Sequence, residues 1–212
     1  MEKSRDVWTI SSLLNWTINY FKSKGIESAR LDAEVLLSHV LGQKRIYLYV
    51  HFDEPMEAKE LAKFREYVAK RARHIPVAYI LGQREFMGFD FKVTKDTLIP
   101  RPDTEILVEN TIAKVNENFG DKQSYDIVDI GTGSGAIILS LLKNLPRAKG
   151  FTVDISANAV AVAKENAQNL QVDDRCEFFV GDLFEPVKDK VFDVIVSNPP
   201  YIPQKDIATL EI

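Results

Sequence analysis

The chain has 212 residues, enough for one large domain or two small ones, and 45% hydrophobic content allows a real core and excludes disorder over most of the length. A single cysteine, Cys176, excludes an intramolecular disulfide, and no apolar run approaches the roughly 18 residues that a membrane span needs. With a charged N-terminus and no signal-peptide pattern, a soluble, cytoplasmic protein without membrane attachment is expected. The net charge of −4 is uneven: residues 1–103 carry 17 basic and 14 acidic side chains, residues 104–212 carry 10 and 17. A mildly basic front half and an acidic back half point to two modules with different partners. An excess of three positive charges is too small for a nucleic-acid groove, so direct nucleic-acid binding is not expected.

The first 75 residues read as helices. Ser11 or Ser12 caps a helix with Leu13, Leu14, Ile18 and Phe21 at helical spacing, and Gly25 ends it. A second helix runs from about Ser28 to Leu41 with Leu31, Val35, Leu36 and Val40 on one side, stopped by Gly42. A third spans about Glu57 to Arg73, with Leu61, Phe64 and Val68 inward. It carries a basic run (Lys63, Arg65, Lys70, Arg71, Arg73, then His74) that is either a solvated face or a docking surface. After Pro76, Phe86, Phe89 and Phe91 around Gly88 predict a short hairpin serving as a connector. Two prolines in Leu98-Ile99-Pro100-Arg101-Pro102-Asp103-Thr104-Glu105 then force an extended lead-in, and Asp103 or Thr104 caps a helix to about Asn118.

From Tyr125 strand and helix alternate: strands at Asp126–Ile130, Gly150–Asp154, Cys176–Val180 and Phe192–Ser197, helices at Ala136–Leu145 and Ala157–Leu170. That order predicts an α/β fold with a parallel, Rossmann-like sheet behind an N-terminal helical bundle and a hairpin linker. The first strand leads into Gly131-Thr132-Gly133-Ser134-Gly135, where glycines let the backbone turn sharply and approach a ligand closely. The following helix turns its unpaired N–H groups to the same place, outside the carboxyl end of the sheet. There is no Gly-Lys-Ser/Thr as in a phosphate loop, and the spacing is one residue tighter than the dinucleotide fingerprint. Asp154, ending the second strand, suits a ribose, and Asp129, Asp154 and Asp182 share one rim. A carboxylate-rich rim fits the sulfonium and ammonium of S-adenosyl-L-methionine and repels a pyrophosphate.

Asn198-Pro199-Pro200-Tyr201 follows the last strand directly. The lone pair of an amide or ring-bound amine is delocalised, so its nitrogen must be held in line with the methyl donor and both hydrogens turned away. The Asn198 side-chain oxygen and the Pro199 carbonyl can each accept one hydrogen; the prolines stiffen the turn, and Tyr201 offers a face for a planar group. No general base is required before transfer, because the proton is lost easily once the nitrogen is cationic. His39, His51 and His74 share no metal-ligand spacing, so no metal is expected, and Cys176 reads as packing.

Asn198-Pro199-Pro200-Tyr201 after this glycine loop resembles the class I methyltransferases that act on amino nitrogens. Together with Tyr79–Phe91 and Leu98–Glu105 it is similar to the peptide chain release factor glutamine N5-methyltransferases of the HemK type, over about Ile10 to Pro203. The resemblance implies a helical substrate-recognition domain (1–76), a hairpin linker (77–97) and an S-adenosylmethionine-dependent domain (98–212). It implies that Gly131, Thr132, Gly133, Ser134 and Gly135 wrap the methionine portion and that Asp154 binds the ribose. Asp182 and Leu183 would border the adenine, with Leu183 where some relatives carry an aromatic residue, and Arg101 and Asp103 would help close the cofactor pocket. Asn198, Pro199, Pro200 and Tyr201 would hold the glutamine of a Gly-Gly-Gln tripeptide in class 1 release factors, Asn198 also facing the cofactor, and S-adenosyl-L-homocysteine would be the product. A monomer is expected. Family members continue past this motif, so the sheet is expected to be incomplete as written, its fourth strand a bare edge. Competing readings are methylation of adenine N6 in DNA, of guanine N2 in ribosomal RNA, or of a ribosomal-protein glutamine; a non-catalytic module that docks on release factors is a fourth.

Overall fold

The computed structural model describes residues 7–199, which fall into two compact units divided between Leu81 and Gly82. The first unit is helical: α1 (Ile10–Ser23), α2 (Ala29–Leu41), α3 (Tyr47–Val50), α4 (Ala58–Arg71) and α5 (Val77–Leu81). The cap of α1 is Thr9, not Ser11 or Ser12. Its hydroxyl accepts from the Ser12 amide at 3.3 Å while Ser12 Oγ accepts from the Thr9 amide at 2.9 Å, which satisfies two otherwise orphaned donors. On α2 the buried stripe is Ala29, Ala33, Leu36 and Leu37, whereas Leu31 is 48% exposed, contrary to the expected face. The reason is ion pairing. Asp32 and Glu34 lie on the inward side because Arg71 reaches Asp32 at 2.7 Å and Arg30, Arg45 and Tyr49 surround Glu34. The basic run on α4 is thereby partly committed, since Lys63 and Lys70 also pair with Glu66. One-turn helices such as α3 and α5 are too short to announce themselves by periodicity.

The second unit opens with a hairpin, β1 (Gln83–Phe86) and β2 (Phe89–Lys92), whose tight turn holds Met87 and Gly88 at φ +53° and +75°. Phe86 and Phe91 are buried among Val108, Tyr125, Leu141 and Leu142, so the hairpin shares the core of this unit. Next comes α6 (Pro102–Asn118). Arg101 occupies the capping position without a side-chain cap, in place of Asp103 or Thr104, because Pro102 sits well at the first helical position, where its missing N–H costs nothing.

The remaining elements are β3 (Tyr125–Ile130), α7 (Ala136–Asn144), β4 (Ala148–Asp154), α8 (Ala157–Asn169), β5 (Cys176–Val180) and β6 (Val194–Ser197). The strands form one parallel sheet in the order β5-β4-β3-β6. Alternation along β3 serves both faces: Ile127 joins the cluster under α7, while Val128 and Ile130 join Phe151, Val153 and Val187 on the other side. A strand covered twice reads as a continuous apolar run, as this one does. Asp193 fixes the start of β6 against β3, accepting from the Asp126 amide at 2.9 Å and pairing with Lys122.

Candidate active site

Parallel register brings the carboxyl ends of the strands to one rim. Ile130 lies beside Val153 and Ser197, and Asp154 beside Val180, so the glycine loop, Asp154, the loop at Asp182 and Asn198 all start from the same edge. Ser197 reinforces this by donating its hydroxyl to the Ile130 carbonyl at 2.7 Å. Gly131, Gly133 and Gly135 all have positive φ; at Gly135 (φ +80°) a Cβ would also stand 2.9 Å from Leu139 Cδ1. Glycine is required there because α7 packs directly onto the turn.

Asp154 is drawn into this loop. Its Oδ2 accepts from the Gly133 amide at 2.8 Å and its Oδ1 from the Ser156 amide at 2.9 Å. Each carboxylate oxygen keeps a further acceptor site, so a ribose diol remains chemically compatible. Thr132 and Ser134 are buried, and the Thr132 hydroxyl donates to Asp129 Oδ2 at 3.0 Å. Asp129 is fully buried; its Oδ1 has no hydrogen-bond partner among the described residues. Burial pushes its pKa up to about 7, opposed chiefly by the Thr132 hydroxyl and assisted by the Asp154 charge. An under-satisfied buried carboxylate behind a glycine cradle fits a cationic amino-acid moiety and disfavours a phosphate.

Asp182, Leu183 and Phe184 lie exposed beyond β5, and Leu183 has φ +44°, a strained value for a branched side chain. Pro199 is exposed and Asn198 half-buried. The Asn198 Nδ2 donates to the Thr104 hydroxyl at 3.2 Å, joining two motifs 94 residues apart. Pro200 and Tyr201 lie outside the described residues. Arg101 and Asp103 are exposed, and it is the neighbouring Thr104 and Glu105 whose side chains make the contacts: Glu105 accepts from the Met87 amide at 2.7 Å. Burial raises the Cys176 thiol to about 12, which suits packing and not nucleophilic attack.

One contributor escaped the sequence reading. Asn166, fully buried on α8, accepts from the Lys92 amide at 2.8 Å and donates to the Lys92 carbonyl at 3.0 Å and the Ser134 carbonyl at 2.8 Å. It therefore ties the hairpin to the glycine loop. The available signal was an asparagine on the same stripe as Val160, Ala163 and Ala167 in an alanine-rich helix, where its propensity is poor. Asn166→Ala leaves three backbone groups without their partner, the Ser134 carbonyl buried and the two of Lys92 part-buried, and is expected to cost about 2–4 kcal/mol, read by urea denaturation. A loss below about 0.5 kcal/mol would show that the bridge contributes little.

A parallel α/β sheet with a glycine loop at the end of its first strand, an acid ending the second, and an Asn-Pro corner on the fourth defines the class I methyltransferase architecture. Residues 12–82 match the family described as PrmC N-terminal domain, and residues 104–211 match the Methyltransferase small domain. The release factor glutamine methyltransferase of Geobacter sulfurreducens is 46% identical, with 100% of this chain and 72% of that protein covered. That of Rhodopirellula baltica is 45% identical (97% and 70% covered), and that of Chlorobaculum tepidum 42% (97% and 71%). The chain belongs to the release factor glutamine methyltransferase family.

Proposed function

We propose that the protein methylates the side-chain amide nitrogen of a glutamine in peptide chain release factors, within the Gly-Gly-Gln tripeptide, as a cytoplasmic monomer. The observation that carries this reading is similarity to release factor glutamine methyltransferases over the whole chain, and the rim chemistry agrees with it. S-adenosyl-L-methionine supplies an electrophilic methyl group and leaves as S-adenosyl-L-homocysteine. Gly131 to Gly135 and Asp129 hold its amino-acid end, Asp154 its ribose, and Asp182 with Leu183 flank the adenine. The Asn198 side-chain oxygen and the Pro199 carbonyl accept the two amide hydrogens, so that the nitrogen lone pair faces the methyl carbon. They also stabilise the positive charge that grows on nitrogen as the new N–C bond forms. The surplus proton passes to water. Pro200 and Tyr201 complete the corner in this reading, with Tyr201 against the flat amide.

The direct test incubates the protein with methyl-labelled S-adenosyl-L-methionine and three acceptors: a class 1 release factor, its Gln→Ala variant, and bulk DNA or RNA. Label is expected on the first alone. Label on nucleic acid instead would move the assignment to an adenine or guanine amino group, and label on the Gln→Ala variant would move it to another residue.

A further inference from the structure

Asn198 poses a problem of orientation. The two ends of a primary amide have nearly the same shape, yet one accepts hydrogen bonds and the other donates them. If the side chain is to accept a hydrogen from a substrate amide, its oxygen must face the substrate; turned over, it presents donor to donor. Local backbone geometry does not choose between the two, because the flip is a rotation about the last side-chain bond and leaves the backbone unchanged. A partner that anchors one end does: the Thr104 hydroxyl can donate or accept, and in this structure it accepts from the nitrogen end.

We propose that Thr104 is a positioning residue for methyl transfer, holding the Nδ2 end of Asn198 so that Oδ1 is presented to the acceptor amide. The Asn198 Nδ2 donates to Thr104 Oγ1 at 3.2 Å, and both side chains are half-buried. Thr104 is itself well anchored. It stands in the first turn of α6, its amide donates to the Arg101 carbonyl at 3.0 Å, and the next residue, Glu105, is tied to the hairpin through Met87. The lever is therefore a helix end and not a mobile loop. On the other side, Asn198 follows Ser197, which is hydrogen-bonded to Ile130 at the lip of the glycine loop. Two rigid elements thus grip the amide, one through the backbone and one through the nitrogen. Oδ1 bonded to the substrate also polarises the NH2 group, which strengthens its bond to Thr104 in turn.

This inference rests on the role proposed above for Asn198, and the variants separate the two. Thr104→Val keeps the shape and removes the hydroxyl, so kcat is expected to fall about 10- to 100-fold, short of losing the acceptor outright, with the KM for S-adenosyl-L-methionine unchanged. Thr104→Ser restores the hydroxyl and is expected to recover kcat to within about threefold. Thr104→Ala provides the same comparison should the valine disturb packing. Equal losses in the serine and valine variants, or a loss carried by cofactor KM, would overturn the positioning role. So would wild-type kcat in Thr104→Val when Asn198→Ala is inactive. Wild-type turnover by Asn198→Ala would instead remove the underlying reading.

Discussion

Replacing Asn198 with alanine is expected to lower methyl transfer by about 10³-fold or more while cofactor affinity changes by less than about threefold. The asymmetry follows from where the residue acts. In the role proposed for it, Asn198 is an acceptor aimed at the amide hydrogens, which does little for a cofactor that the same proposal places on the glycine loop and on acids of neighbouring strands. It matters most at the transition state, when the nitrogen acquires positive charge and its hydrogens become stronger donors. Losing a preorganised partner there costs about 3–4 kcal/mol, and misalignment of a delocalised lone pair adds to it. Single-turnover rates with saturating release factor, beside calorimetric titration with S-adenosyl-L-homocysteine, separate the two quantities. A variant that turns over normally, or one that simply stops binding cofactor, would contradict the role assigned to Asn198.

Asp129→Asn is expected to flatten the dependence of stability on pH in the cofactor-free protein. Burial raises the carboxyl from its ordinary value of 3.8 to about 7, so the folded state holds a proton that the unfolded chain releases. That contribution is complete below the unfolded value and is lost as pH climbs through about 7, where the buried group must ionise. It amounts to as much as about 4 kcal/mol of stability between pH 4 and pH 8. Asparagine has nothing to ionise, so the variant should gain on wild type at pH 8 and show little advantage at pH 5, in urea melts across that range. Cofactor affinity should move the other way, falling about tenfold or more at pH 8 as a cation loses its counter-charge. Parallel pH profiles for the two proteins would mean that Asp129 does not titrate in this window.

Much of this was legible in the chain before folding. Alternating strand and helix patterns from Tyr125 onward specified the parallel sheet, because each buried strand and amphipathic helix carries its own period. Gly131-Thr132-Gly133-Ser134-Gly135 marked the loop, since positive φ and close helix packing admit little but glycine. Asn198-Pro199-Pro200-Tyr201 after that loop pointed to methyl transfer onto an amide or amino nitrogen, in line with the glutamine methyltransferases the chain is similar to.

Other features depended on long-range pairing. Which face of α2 is buried was decided by Arg71 and Arg45, distant in sequence, which neutralise Asp32 and Glu34. Capping of α1 from Thr9 and the direct start of α6 at Pro102 shifted boundaries through local hydrogen bonds that several nearby residues could have made. The threefold bridge of Asn166 and the grip of Thr104 on Asn198 join segments 32 to 94 residues apart. Residue type and spacing thus determined the class of fold and the acceptor chemistry, because both are written in short stretches of sequence. The Asn198–Thr104 hydrogen bond and the buried polar clamp behind the loop were decided only in three dimensions, since a hydrogen bond is defined by the partner that folding brings to it.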